Sequence, residues 1–128
     1  MKENFADAGA VAVGGAIGAA LRFGILTLIP FADWPLATFL TNMAGCLILG
    51  FVTAAVFPDA HPRLKLLIGT GLLGGFTTYS TFMVETLHLS TPLAFSYVAA
   101  TIIIGLGAAH LGLSWGERRR ISATEGAA

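Results

Sequence analysis

The chain has 128 residues, 55% of them hydrophobic and 11% charged, and its seven Lys and Arg residues balance seven Asp and Glu residues. Soluble domains carry about 25% charged residues, so the composition excludes a soluble globular domain, and the balanced charge gives no basis for nucleic-acid binding. The single cysteine, Cys46, excludes an internal disulfide and a cysteine-based metal cluster. We therefore expect an integral membrane protein, with Cys46 packed in a helix.

Four segments are long and apolar enough to cross a membrane, which takes about 20 apolar residues. They are residues 8–29, 34–57, 66–85 and 91–115, and the only Arg, Lys, Asp, Glu or His residues within them are Arg22, Glu85 and His110. Short polar links join the segments, and a polar tail, residues 116–128, follows and is expected to fray. The sequence predicts a single all-α membrane domain of four antiparallel transmembrane helices, with both termini on one side.

Small residues recur within these segments at a spacing of four. This spacing lets helix backbones approach closely in lipid, and the pairs are Gly14 with Gly18, Gly71 with Gly75, and Gly105 with Ala109. Together they favour a tightly packed bundle. Because four short helices need their inward faces for packing, they can hardly enclose a polar path alone, so we expect an oligomer, of which a dimer is the smallest.

Lys and Arg residues indicate the orientation, because they concentrate on the cytoplasmic side of membrane proteins. Six basic residues lie at the end of the bundle that holds the termini: Lys2, Arg63, Lys65, Arg118, Arg119 and Arg120. The opposite loops contain none, and only Arg22 lies near that end. The pattern predicts that the termini face the cytoplasm.

The third segment changes character half-way. It is apolar up to Gly74 and Gly75 and then continues as the hydroxyl- and aromatic-rich run Thr77-Thr78-Tyr79-Ser80-Thr81-Phe82, before ending in Glu85. Non-helical backbone survives at membrane depth only where protein buries it or water lines it. We interpret residues 74–78 as a break near mid-membrane, and the loosened backbone with its clustered hydroxyls as an ion site.

The second segment contains Thr38, Thr41 and Asn42 in an otherwise apolar helix. A mid-membrane amide needs hydrogen-bond partners, so Asn42 either bonds a neighbouring helix or offers N–H donors to a dehydrated anion. Tyr79 and Phe82 share a helix face, as ordinary packing partners or as ring edges of partial positive charge. Amide, hydroxyls and ring edges together are compatible with a polar-lined anion path.

The titratable residues each allow two interpretations. Arg22 lies about two turns from its helix end, where it either snorkels to the interface or places a cation at a vestibule mouth. Glu85 is either interfacial or, on the face of Thr81 and Phe82, part of the path. His110 suits an interfacial or packed position. The chain contains no HExxH motif, no GxSxG motif and no phosphate-binding glycine loop, so an enzyme is not predicted.

Three stretches resemble the Fluc/CrcB fluoride channels, a small four-helix membrane family. They are Gly-Gly-Phe-Thr-Thr-Tyr-Ser-Thr-Phe at 74–82, Gly-Ala-Ile-Gly-Ala-Ala-Leu-Arg at 15–22, and the run from Thr38 through Asn42 to Gly45. The similarity extends over all four segments and nearly the whole chain.

The resemblance implies an antiparallel, dual-topology dimer with two pores that passively export fluoride across a bacterial-type inner membrane. It further implies a central structural Na⁺ held by backbone carbonyls, here those of Gly74 and Thr77. The implied pore residues are Asn42, Tyr79, Phe82, Thr38, Ser80, Thr81, Glu85 and Tyr97, with Arg22 in the vestibule. The implied partners are fluoride, sodium, the lipid bilayer and a second copy of the chain.

Two features depart from the family pattern. Tyr79 stands where the family usually has phenylalanine. The one-sided Lys and Arg distribution favours a single orientation, so the dimer partner is either a second copy or a sister subunit of opposite topology.

Two alternative functions are considered. One is a small multidrug-type proton-coupled exporter, which needs a carboxylate that the first segment lacks. The other is a non-transporting membrane assembly subunit.

Overall fold

The computed structural model describes residues 2–29 and 33–126. Its helices are α1 (Lys2–Leu28), α2 (Leu36–Ala55), α3, α4 (Tyr79–His88) and α5 (Thr91–Glu125). Helix α3 is built from three consecutive segments, Pro62–Lys65, Leu66–Leu73 and Gly74–Phe76. Over the described ranges the chain is helical and contains no strand, which confirms the predicted all-helical class.

Three helical stretches are long and apolar enough to span a membrane within the described part of the chain: Asn4–Leu28, Leu36–Ala55 and Thr91–Glu125. They correspond to the first, second and fourth predicted segments, and together they indicate a multi-pass membrane protein. The third predicted segment, 66–85, is instead divided between α3 and α4. Its helical structure also begins earlier than predicted, because Pro62 occupies the first turn, where a missing N–H has no consequence.

Helices α2 and α5 pack along much of their length through glycines that admit the neighbouring backbone. A Cβ atom on Gly112 would overlap the carbonyl oxygen of Leu47, and one on Gly50 would overlap that of Ala109. Gly116 continues the same contact, since its Cβ atom would lie 2.6 Å from the carbonyl oxygen of Phe51. We call this contact the α2–α5 seam.

A second glycine contact, the α1–α3 seam, joins α1 to α3. Cβ atoms on Gly14 and Gly18 would overlap the carbonyl oxygens of Leu67 and Leu72 respectively, and one on Gly75 would overlap that of Gly15. Small residues that bring backbones together are a main source of helix association in lipid, where apolar surface gains little from burial. The fold thus consists of two tightly packed helix pairs, with α4 beside them.

The middle segment of α3, Leu66–Leu73, has π-helical hydrogen bonds, from each N–H to the carbonyl five residues earlier. Such wide turns are uncommon in proteins and occur often next to functional sites. In this chain the wide turns are followed by the short α-helical segment Gly74–Phe76, after which α3 ends.

The polar tail is mostly helical, which corrects the expectation that it frays. Helix α5 continues to Glu125, because residues 117–125 contain neither Gly nor Pro. The Arg120 Nε atom lies 3.5 Å from Asp59 Oδ2, and Ser122 Oγ donates to the carbonyl oxygen of Arg118 at 3.0 Å. At the same end of the bundle, Arg63 Nε lies 3.0 Å from Asp7 Oδ1.

Candidate functional site

The polypeptide is extended for two residues between α3 and α4. Thr77 has φ −78° and ψ 159°, and Thr78 has φ −145° and ψ 124°. The interruption follows the Gly74–Gly75 pair, at the end of the range 74–78 where the sequence placed a break. We call Thr77 and Thr78 the extended pair.

Asn42 of α2 binds the backbone of the extended pair with both ends of its amide. Its Nδ2 atom donates to the carbonyl oxygen of Thr78 at 3.1 Å, and its Oδ1 atom accepts from the Thr78 N–H at 2.9 Å. The contact is interhelical, which was one of the two interpretations for Asn42. Nδ2 carries a second N–H, for which the described residues provide no acceptor, so a donor stays available beside the extended pair.

The Thr78 side chain begins α4 as its N-cap, accepting from the Thr81 N–H at 3.2 Å. The same hydroxyl lies 3.0 Å from Thr81 Oγ1 and 3.3 Å from Ser80 Oγ. Sequence reasoning missed Thr78 as a site residue. Its signal was a threonine directly before a helical run, because threonine is a favoured N-cap residue.

Glu85, one turn further along α4, accepts two hydrogen bonds from neighbouring helices. Thr38 Oγ1 of α2 donates to Oε1 at 2.7 Å, and Tyr97 OH of α5 donates to Oε2 at 2.9 Å. Thr38 and Tyr97 are almost fully buried, with exposed fractions of 1% and 0%. Glu85 is therefore held between helices rather than free at a membrane surface.

Aromatic rings pack around Tyr97, one of the two donors to this carboxyl group. Phe82 is buried and lies 5.0 Å from the Tyr97 ring, and Trp34 meets Tyr97 edge-on at 5.1 Å. Tyr79 lies 6.0 Å from Phe82, but 75% of its surface is exposed. The aromatic face predicted from residues 79 and 82 thus has one buried and one exposed member, and Trp34 is a member that the sequence did not indicate.

Two cavities, each of about 660 Å³, lie on either side of the Thr78–Thr81 hydroxyl pair. The first is lined by Asn42, Gly74, Thr77, Thr78, Tyr79 and Phe82, among others. The second is lined by residues that include Asp33, Trp34, Thr81, Glu85 and His88. A line of polar groups therefore leads from one cavity to the other.

Thr101 of α5 also lines the first cavity and was not indicated by the sequence. Its Oγ1 atom is buried and lacks a hydrogen-bond partner among the described residues. Buried hydroxyls are nearly always bonded, so this atom is an exception within the described part of the chain.

Arg22 is half-buried where α1 passes the extended pair, and its Nη1 atom donates to the carbonyl oxygen of Thr77 at 3.2 Å. The helical donor for that oxygen, the Thr81 N–H, is diverted to the Thr78 hydroxyl. In the same way, the Thr78 N–H that would pair with the Gly74 carbonyl donates to Asn42. The Gly74 and Thr77 carbonyl oxygens have therefore left the helical hydrogen-bond pattern.

Residues 9–113 match the profile of the family described as "CrcB-like protein, Camphor Resistance (CrcB)". This chain belongs to the CrcB family. Its relatives include "Fluoride-specific ion channel FluC 2" of Bacillus subtilis (strain 168), 45% identical over 113 residues, which cover 85% of this chain and 86% of that protein. "Fluoride-specific ion channel FluC 1" of Rhodococcus jostii (strain RHA1) is 45% identical over 112 residues, 88% of this chain and 86% of the relative.

CrcB membership confirms the resemblance on which the site residues were chosen, whereas their individual roles stay predictions. The structure brings most of them together around α4: Thr38, Asn42, Thr81, Phe82, Glu85 and Tyr97. Tyr79 and Ser80 are exposed at the edge of this group. Arg22 lies away from Glu85, at the carbonyl of Thr77.

Proposed function

We propose that this chain is a passive fluoride-specific ion channel and not an enzyme. The observation that carries the proposal is a line of polar groups along α4, made of two hydrogen-bonded clusters one helical turn apart beside the Phe82 ring: Asn42 with Thr78 and Thr81, and Glu85 with Thr38 and Tyr97. It connects two cavities within a strongly apolar chain. The names of the relatives give fluoride as the ion.

The chemistry of this line suits a small, hard anion that must lose its water. Ion-selective paths replace the hydration shell with protein groups of the opposite polarity. Here the donors are the second N–H of Asn42 and the hydroxyl of Thr81, which itself accepts from Thr78 Oγ1, and the Phe82 ring adds an edge of partial positive charge. Hydrogen fluoride enters cells from acidic surroundings and dissociates in the neutral cytoplasm, so an anion path to the outside lowers the internal fluoride concentration.

The test is fluoride efflux from liposomes that contain the purified chain, measured with a fluoride electrode against a chloride control. We expect rapid fluoride loss and little chloride loss. Absence of efflux from well-folded protein, alone and together with a sister subunit, would contradict the function.

Two variants test the line itself. Phe82→Ile removes a ring edge but keeps apolar bulk, and Asn42→Leu removes the amide donor, so both should lower fluoride efflux at least about tenfold. Phe95→Ile, at a ring that is 74% exposed on α5, is the matched control and should conduct normally. Normal efflux in Phe82→Ile or Asn42→Leu would assign that residue to packing.

The functional unit in this proposal is an antiparallel dimer with two pores in a bacterial-type inner membrane. Support comes from an exposed face: Tyr79 is 75% exposed, and a Cβ atom on Gly74 would meet only the Gly69 carbonyl oxygen, at 3.9 Å. A glycine with open space around it is explained when a second chain packs there. The one-sided basic residues leave two partners, a second copy or a sister subunit of opposite orientation.

A structural Na⁺ held by the carbonyl oxygens of Gly74 and Thr77 completes the proposal. Both carbonyls have lost their helical donors, and hard cations prefer oxygen ligands. The Thr77 oxygen also accepts from Arg22, so it would bind the ion through its second lone pair. Bound sodium would join the backbones of two chains by electrostatic attraction. Replacement of sodium by an inert cation should then weaken the dimer during prolonged dialysis, and a dimer that persists would argue against the site.

A further inference from the structure

The α1–α3 seam ends at Arg22. Gly14, Gly18 and Arg22 are each four residues apart and so share a face of α1. Gly18 lies so close to α3 that a Cβ atom would overlap the Leu72 carbonyl oxygen and lie 2.7 Å from the Phe76 nitrogen. The next turn of the same face therefore brings Arg22 to the residue after Phe76, which is Thr77.

The Thr77 carbonyl oxygen needs a donor from outside its own helix. In a continuous helix the Thr81 N–H would supply it, but that N–H donates to the Thr78 hydroxyl at 3.2 Å. The Arg22 Nη1 atom supplies the hydrogen bond instead, also at 3.2 Å. An unpaired carbonyl is costly where water is excluded, so this contact stabilises the extended pair over a continuous helix.

We propose that Arg22 is a positioning residue that acts as the backbone donor of the extended pair. By fixing the Thr77 carbonyl it fixes the adjacent Thr78, whose N–H and C=O bind Asn42. The amide of Asn42 is thereby aimed with its second N–H beside the first cavity. This role deepens the proposed channel function and rests on it, and it differs from a vestibule cation, which attracts the anion by its charge alone.

The two roles require different properties of the side chain. A backbone donor needs N–H groups at the right reach, whereas an attracting cation needs a positive charge. Citrulline has the length of arginine and keeps three of its N–H donors, with a carbonyl oxygen in place of one terminal nitrogen and no charge. Methionine has neither the donor nor the charge. Lysine keeps the positive charge, but on one ammonium group at the end of a shorter side chain.

The citrulline variant can be assembled from two pieces by ligation at the Gly45–Cys46 junction. A synthetic segment 1–45 carries citrulline or arginine at position 22 and is joined to segment 46–128. The ligated arginine chain is the control for refolding and must match the expressed protein in size-exclusion profile and fluoride efflux.

We expect Arg22→citrulline to keep fluoride efflux within about threefold of the control. Arg22→Met should lose at least about tenfold, because the partly buried Thr77 carbonyl loses its hydrogen bond. The efflux of the citrulline chain should also keep the salt dependence of the arginine chain. Loss of efflux in citrulline together with normal efflux in Arg22→Lys would overturn the proposal in favour of charge attraction. Normal efflux in Arg22→Met would overturn it as well.

Amide hydrogen exchange gives a readout that does not depend on conduction. In full-length protein, Arg22→Met should accelerate exchange at Thr78, whose N–H is bonded to Asn42, and Arg22→citrulline should leave it unchanged. Equal exchange in all chains would contradict the positioning role. If the control chain itself shows no fluoride efflux, the channel proposal fails, while the exchange data still decide the role of Arg22.

Discussion

The two glycine seams and the surroundings of α4 are held together by different means. In the α2–α5 seam, Gly50 and Gly112 admit backbone atoms of the opposite helix. Helix α4 is instead joined to its neighbours by side-chain hydrogen bonds through Thr78 and Glu85. Close backbone packing stabilises helix pairs in lipid without polar groups. The difference indicates that the seams serve folding, whereas the polar groups are concentrated along the ion path of the proposed channel.

The largest expected effect is on folding. Gly112→Leu places a side chain where a Cβ atom alone would overlap the Leu47 carbonyl oxygen, so we expect the α2–α5 seam to separate and little monodisperse protein to be recovered on size-exclusion chromatography. Gly107→Leu, on the same helix with nothing within 4 Å of a Cβ atom, is the matched control and should be recovered normally. Equal recovery of both variants would show that the seam is not essential.

The second effect separates the fold of the chain from its assembly. Gly74→Leu has open space within the chain, so the helical content should stay normal. If a second chain packs against Gly74, the variant should elute as a monomer and lose fluoride efflux. A variant that stays dimeric would place the interface elsewhere on the surface.

The third effect concerns conduction alone. Glu85→Gln replaces one of the two oxygens that accept from Thr38 and Tyr97 with an amide donor, and we expect fluoride efflux to fall about tenfold or more. The helical content should stay normal because neither seam is touched. Glu117→Gln, at an exposed position on α5, is the control. Unchanged efflux in Glu85→Gln would remove Glu85 from the ion path.

The smallest effect is expected at Tyr79. Its side chain is 75% exposed, and within the described residues its hydroxyl makes no hydrogen bond, so Tyr79→Phe should change fluoride efflux by less than about threefold. Phenylalanine, which the family usually has at this position, keeps the aromatic ring and its edge. A loss above tenfold would show that the phenol itself contacts the ion or a second chain.

The sequence predicted the long helices well because their signal is composition over many residues. Helices α1, α2 and α5 follow directly from apolar length. The wide turns of Leu66–Leu73 could not be predicted, because the same apolar residues suit an α-helix equally well. The helical extension of α5 was missed because polarity was interpreted as fraying, although polar residues without Gly or Pro form helices readily.

For the candidate site, the sequence indicated which residue types gather but not how they pair. Asn42 and Glu85 were recognised as polar groups in apolar helices, and both are bonded across helices. The bonds that shape the extended pair involve backbone atoms, namely the Thr77 carbonyl and the Thr78 N–H. Every residue has these atoms, so no pattern of side chains reveals which of them are bonded, and three-dimensional structure was needed.

The length of α5 makes it a reporter of how the chain is inserted. Its 35 residues span about 50 Å at 1.5 Å per residue, whereas the hydrocarbon core is about 30 Å thick. The exposed Ser122 lies near the end of this helix, well beyond the apolar part. In a Cys46→Ala background, Ser122→Cys would be labelled by an impermeant thiol reagent only when it faces the outer solution. Complete, absent or half labelling of intact cells would reveal outward, inward or mixed insertion.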